Sequence, residues 1–237
     1  MLEGPRVVEG ALDRGAELEV VYLGAGAERA FATLVERIRA TGTRLAELRE
    51  GVLEKVGLTR TPQPVLAVAR RVTRGLDALV GSGTALVAVG VSDPGNLGTM
   101  IRSAEAAGAD AVVTCANSVD AQNPKAVRSS AGAIFGVSVI DEDDPMTVLE
   151  ALGAQGRRCL GSQATGGTSY VDADLSDSCA LVVGNEAHGL APELAGRLDG
   201  HVTIPMHAAA ESLNVATAAT VLLFEAARQR RLADAGR

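Results

Sequence analysis

From residue 85 onward the chain alternates short, wholly apolar runs with helical stretches. "ALVAVGV" (85–91) and "CALVVG" (179–184) are apolar throughout rather than at every second position. A strand with one wet face alternates apolar and polar side chains; a strand covered on both faces does not. The pattern gives strands at 85–91, 111–114, 136–140, 158–162, 180–184 and 201–204, and helices at 97–107, 123–132, 145–154, 190–197 and 212–230. Strand then helix, repeated, predicts an α/β fold with a parallel sheet and helices on both faces. Aromatics are only 2% of the chain, so the core must be built from Val, Leu, Ile and Ala.

The first part is organised differently. "EVVYLG" (19–24) and "PVLAVARR" (64–71) read as strands, and "AERAFATLVERIRATG" (27–42) reads as one helix closed by Gly42. "RVTRGLDALVGSGT" (71–84) turns Gly-rich and reads as a linker, which puts a boundary near Arg74: a small domain at 1–74 and a larger one at 75–237. Charge changes sign there. Up to Arg74 there are 12 Lys and Arg against 10 Asp and Glu; from Gly75 the counts are 10 and 19. The net charge of −7 therefore hides a basic first part in which Arg70, Arg71 and Arg74 crowd the end. Such a patch can attract phosphates despite an acidic total.

Several classes are excluded or disfavoured. No apolar run approaches the roughly 18 residues of a membrane span. "MLEGPRVVEG" has no basic segment followed by an apolar core, so no secretory signal is expected. Cys115, Cys159 and Cys179 are far apart and fit neither a disulfide framework nor zinc spacing; His188, His201 and His207 make no metal set. A cytoplasmic protein without a metal is the expectation. With no Trp, base stacking on aromatic platforms is not the expected mode of nucleic-acid binding.

Three segments carry polar residues where plain structure does not ask for them. In "SDPGNLGTMIRSAEAAGADAVV" (92–113) a strand runs into a helix, but without the G-x-G-x-x-G of a phosphate cradle. Asn96 is placed to cap that helix. Arg102 sits among Leu, Met, Ile and Ala, as on a buried face, where a guanidinium needs an anionic or carbonyl partner. In "LVVGNEAHGL" (181–190), Gly184 at a strand end lets a ligand approach the backbone, and Glu186 can cap a helix or hold an Arg. In "VTIPMHAAAESLNVATAATVLLFEAARQR" (202–230), Ser212 reads as the N-cap of a long helix, with Asn214 an awkward polar residue in its first turn. That helix is rich in Ala and Thr, which would let another helix approach closely. Each segment alone is also compatible with an ordinary strand-to-helix turn.

In this order and spacing, however, "DPGNLGTMIRSAEAAGAD", "LVVGNEAHGL" and "IPM" with "ESLNVATAATVLLFE" resemble the three motifs of the SpoU (TrmH) family of RNA ribose 2′-O-methyltransferases, in the SPOUT superfamily. The match spans about residues 85–230. Residues 2–71 resemble that family's small, ribosomal-protein-like substrate-binding domain, "LEGPRVVEGAL" matching its first strand and helix. Starting there, the chain is expected to lack a leading segment present in many relatives. The resemblance implies a deep trefoil knot in the C-terminal domain, S-adenosylmethionine as cofactor and a homodimer with the site near the interface. It implies cofactor contacts at Gly184, Ile204 and Leu213, with Met206 and Asn214 beside them. It also implies a catalytic set of Arg102, Asn96, Glu186, Ser212 and Asn214, in which Arg102 grips RNA and activates the hydroxyl. The substrate would be structured RNA, ribosomal RNA before tRNA, with Arg70, Arg71 and Arg74 also binding it. A knotted RNA-binding protein without turnover is the alternative. A nucleotide-dependent oxidoreductase lacks its phosphate-binding glycine turn.

Overall fold

The computed structural model describes residues 1–207 and 212–236. Most of the small-residue loop read ahead of Ser212 falls on 208–211, outside the described residues.

The N-terminal unit contains β1 (Leu2–Glu3), α1 (Pro5–Asp13), β2 (Leu18–Leu23), α2 (Ala27–Ala30), α3 (Ala32–Ala40), β3 (Arg44–Glu47), α4 (Leu53–Val56) and β4 (Val65–Ala69). Its four strands lie in the order β1-β4-β2-β3. The single helix expected over 27–42 is two, because Phe31 leaves helical backbone at φ −124°, ψ 40°.

The larger unit follows with β5 (Thr73–Arg74), β6 (Thr84–Val89), α5 (Pro94–Ala107), β7 (Ala111–Cys115), α6 (Pro124–Ser130), β8 (Ser138–Asp141), α7 (Pro145–Ala154), β9 (Arg158–Ser162), β10 (Thr168–Ser169), β11 (Cys179–Val183), α8 (Pro192–Ala195), β12 (Gly200–Thr203) and α9 (Val215–Ala235). Eight strands form one sheet in the order β10-β12-β9-β11-β6-β7-β8-β5, every pair parallel. β5 lies inside the stretch read as linker: Thr73 and Arg74 pair with Val139 and Ile140. Arg74 is thus a strand residue of the larger sheet.

Both faces of this sheet are covered, as the continuous apolar runs require. Leu86, Ala88, Val112 and Leu181 share a core with Leu97, Met100 and Ile101 of α5 and Ala219, Leu222 and Leu223 of α9. The alternate residues Ala85, Val87, Val89 and Val182 pack with Val148, Leu149 and Leu152 of α7 on the other side. Among the described residues no helix is long and apolar enough to cross a membrane.

The strand order positions the site. From β6 the chain adds β7 and β8 on one side, then crosses to place β9, β11 and β12 on the other. Where the direction of winding reverses, the flanking loops part and leave a crevice beyond the carboxyl ends of the strands. Here that point lies between β6 and β11, where the loop after β6 and the turn after β11 meet through Ser92, Asp93 and Glu186.

Candidate active site

The loop after β6 is held from a distance. Asp93, not Asn96, is the N-cap of α5: its side chain accepts the Asn96 amide at 2.8 Å, with Pro94 at the first helical position. Proline fits there because that amide has no intrahelical partner. The Asn96 side chain is therefore free for other work. Its Nδ2 donates to Oε1 of Glu186 at 3.1 Å, and its Oδ1 accepts from Nδ2 of Asn214 at 3.0 Å. The Glu186 carboxylate also accepts from the Ser92 amide and hydroxyl and from the Asp93 amide, at 3.1–3.2 Å. Partial burial pushes the Glu186 pKa up. The Asn96 amide and the backbone N–H groups of Glu186, Asp93 and Ser92 outweigh that and hold it down to about 2. Glu186 is thus a fixed anion that organises donors around itself.

The turn after β11 is braced internally. Asn185 donates to the Gly90 carbonyl at 2.8 Å and accepts the amides of Ala187 and His188. Asn185 and Gly189 exchange backbone bonds, closing a small loop. The room that Gly184 leaves, expected to admit a ligand, is occupied by this loop: a Cβ there would run into the Gly189 backbone and lie 2.6 Å from the Leu190 nitrogen. The missing side chain is what lets the loop fold back over the strand end.

At the third segment the cap is Asn214, not Ser212. Asn214 Oδ1 accepts the amides of Ala216 and Thr217 at 2.9 and 3.2 Å, while its Nδ2 reaches Asn96. One side chain thus starts a helix and ties it to α5. Ser212 is exposed just ahead of it.

The second and third pieces line a cleft of about 620 Å³ over the ends of β9, β11 and β12; Asn96 is not in its lining and reaches it only through Glu186 and Asn214. Gly184, Glu186, Ile204, Met206, Ser212, Leu213 and Asn214 line it, so every residue expected to touch a cofactor meets here. Reading by motif missed the end of β9: Ser162, Gln163 and Ala164 also line the cleft, with His188, Leu190 and His201. The available signal was positional, since the strand next to β11 must end at the same edge.

Arg102 does not meet them. It is exposed, and the buried residues of α5 are Leu97, Gly98, Met100, Ile101, Ser103 and Ala104. Helical periodicity aligns Gly95, Thr99, Arg102 and Ala106 on a stripe facing away from the sheet. Arg102 thus stands on another flank of α5 from Asn96, about 9 Å further along the axis. Across the seam where Gly98 packs against Ala126 and Ser129, the exposed Lys125 and Arg128 of α6 extend the same outward face. Lys125 is joined to Asp93 at 2.8 Å. In the expected basic cluster, Arg70 pairs with Glu17 at 2.9 Å and Arg71 with Asp120 at 3.5 Å; both, like Arg74, are exposed. Among the described residues no His, Cys, Asp or Glu cluster could hold a metal.

Two family models match: the SpoU rRNA Methylase family over residues 83–224 and the MRM3-like substrate binding domain over residues 1–67. The 23S rRNA (guanosine(2553)-2′-O)-methyltransferase RlmP of Bacillus subtilis is 35% identical over 224 residues, 94% of this chain and 86% of that protein. The 23S rRNA (guanosine-2′-O-)-methyltransferase RlmB of Xanthomonas axonopodis is 33% identical over 96% of this chain and 95% of its own length. Among solved structures, the SpoU methyltransferase AviRb of Streptomyces viridochromogenes, in complex with AdoMet, superimposes with a TM-score of 0.86 at 28% identity, covering 97% of this chain and 89% of that one.

Proposed function

Because the chain belongs to the SpoU rRNA methylase family, and is with it an S-adenosylmethionine-dependent RNA ribose 2′-O-methyltransferase, we propose that the cleft beside Glu186, Asn96 and Asn214 is its cofactor site and that its substrate is ribosomal RNA. The observation that carries this reading is the side-chain chain Glu186–Asn96–Asn214, which ties the first polar segment to the two whose residues line the cleft.

The lining suits the cofactor. Leu190, Ile204, Met206, Leu213 and Val215 supply apolar surface, and the strand ends at Gly184 and Ile204 supply backbone groups, a mix typical of small-molecule clefts of about 300–1,000 Å³. When bound, S-adenosylmethionine supplies a methyl group already activated on a sulfonium. The chain then has to hold a ribose hydroxyl in line with that carbon. Glu186, held as an anion by its donors, fixes Asn96 and the loop at Ser92. Asn96 and Asn214 fix the start of α5 against the start of α9, and Ser212 stands at the mouth for the ribose. Arg102 offers a planar fork of N–H donors that matches a phosphate, so its first task is to grip an RNA phosphate and orient the 2′-hydroxyl.

An outward-facing Arg102 acts on a ribose only when RNA or a second protomer covers that face. A homodimer supports both needs: beside α5, helix α9 leaves Phe224 43% exposed. Light scattering is expected to give twice the chain mass. The knot belongs to the same proposal. What supports it is that β12 lies beyond β9 in the sheet while α9 packs on α5. The small domain selects the RNA, and the cytoplasm is where such a substrate is met.

Calorimetry tests the cleft. The wild type is expected to bind S-adenosylmethionine, and Gly184→Ala, by displacing the 185–189 loop, to weaken binding about tenfold or more. Unchanged binding in Gly184→Ala would place the cofactor elsewhere.

A further inference from the structure

The small domain does not hang from a linker. Gly10 of α1 lies against the turn after α6: a Cβ on Gly10 would stand 2.6 Å from the Ala131 carbonyl oxygen. The fit is reciprocal, since a Cβ on Gly132 would stand 2.6 Å from the Gly10 carbonyl carbon. Ala131 and Gly132 both have positive φ, 51° and 92°, so the turn that receives α1 is itself sharply formed. Around it Val7, Val8 and Ala11 join one apolar core with Ala133, Ile134 and Val137.

A polar clasp closes this contact. Arg14, at the end of α1, donates through Nε and Nη2 to both carboxylate oxygens of Glu105, the second bond being 2.6 Å. Its Nη1 donates to the Gly10 carbonyl at 2.8 Å, so the same side chain braces the helix that docks. The two side chains are 28% and 22% exposed, which shields the pair from much of the screening met by surface ion pairs. Glu105 lies on α5, three residues beyond Arg102.

We infer that the small domain is a fixed reader of RNA, and that Arg14 and Glu105 are positioning residues that set its orientation against the helix bearing Arg102. This rests on the reading of the small domain as the RNA-selecting part and adds how its selection is registered with the reacting ribose. A planar guanidinium meeting a carboxylate through two bonds fixes angle as well as distance. The glycine contact permits one depth of approach.

The test pairs a structural with a kinetic readout. Spin labels at the exposed positions 36 and 150, one in each domain, report the inter-domain distance; the three native cysteines are buried. Variants are Glu105→Gln, Gly10→Ala, and Arg14→Glu combined with Glu105→Arg. Gly10→Ala is informative because alanine strengthens an isolated helix, so a loss there comes from the contact and not from α1 failing to form. In Glu105→Gln and Gly10→Ala the distance distribution is expected to shift or broaden, and KM for RNA to rise about tenfold or more, with kcat and S-adenosylmethionine affinity within about twofold. The reversed pair is expected to restore both. A reoriented domain with unchanged RNA KM would overturn the positioning role. A raised KM with an unmoved distance would also overturn it, assigning the effect to lost charge. A wild type that transfers no methyl would defeat the functional reading instead, and the distance measurement would still report the dock.

Discussion

The side-chain amide of Asn214 donates to the side-chain oxygen of Asn96 at 3.0 Å, across 118 residues of sequence. Asn96 is thereby fixed in rotation, since its own amide is already directed at Glu186. Asn96→Asp replaces that donor with a second carboxylate facing the first. Its single-turnover methyl-transfer rate is expected to fall by about a hundredfold, and further than that of Asn96→Ala, which removes the bond without adding repulsion. A rate for Asn96→Asp equal to the wild type would remove the network from the mechanism.

Glu186 bears on pH. A carboxyl group whose folded pKa lies below its ordinary 4.5 stabilises the native loop above that value, and the contribution is lost as pH falls towards about 2. Glu186 is therefore ionised throughout the neutral range and is no general acid. Carbon-detected NMR is expected to show its carboxyl titrating near 2. Glu186→Gln is expected to lower turnover without removing any limb of the pH–rate profile between about pH 5 and 9. A titration midpoint at or above 4.5 would contradict the network.

At the opposite edge of the sheet, Arg157 is fully buried and donates to Asp110 at 2.8 Å and to the Gly83 carbonyl at 2.6 Å. It ties the segment before β6 to the sheet. Removing the guanidinium leaves the Gly83 carbonyl and the partly exposed Asp110 without their donor, so Arg157→Ala is expected to cost about 2 kcal/mol in denaturant unfolding. A loss below about 0.5 kcal/mol would mean that water replaces the guanidinium without penalty.

Arg70 and Arg71 spend their charge on exposed pairs with Glu17 and Asp120. Such pairs are worth about 0–1 kcal/mol, so RNA phosphates can displace them. Reversing Arg70, Arg71 and Arg74 to Glu is expected to weaken RNA binding and flatten its salt dependence, with S-adenosylmethionine affinity unchanged. Unaltered RNA affinity would place the RNA path elsewhere, with Lys125 and Arg128 the next residues to reverse.

What the sequence disclosed followed from long-range apolar pattern. α7 has the span read for it, 145–154, and the six long strands stand within about two residues of their expected ends, because burial on both faces leaves an unmistakable run. β5 and β10 have two residues each, too short to carry any period. Side-chain assignments fail where two capping residues lie close together. Asn96 looks like a cap, although Pro94, a first-turn residue, already points to Asp93. Ser212 looks the better cap beside Asn214, which does the capping. Apolar neighbours in sequence suggest an inward Arg102; the helical stripe it shares with Gly95, Thr99 and Ala106 turns it outward. Motif spacing brings the residues of the second and third motifs to one cleft, but which atom holds which is set by contacts between residues 90 and 118 positions apart.

Where the methyl group ends decides between this mechanism and its rivals most directly. Purified enzyme is incubated with ribosomal RNA and S-adenosylmethionine labelled in the methyl group, and the RNA is digested to nucleosides and read by mass spectrometry. Label is expected on a ribose 2′-oxygen, with Arg102→Ala still binding cofactor but slowed about a hundredfold or more in single turnover. Label on a base, or no transfer by the wild type to ribosomal RNA, would refute the assignment.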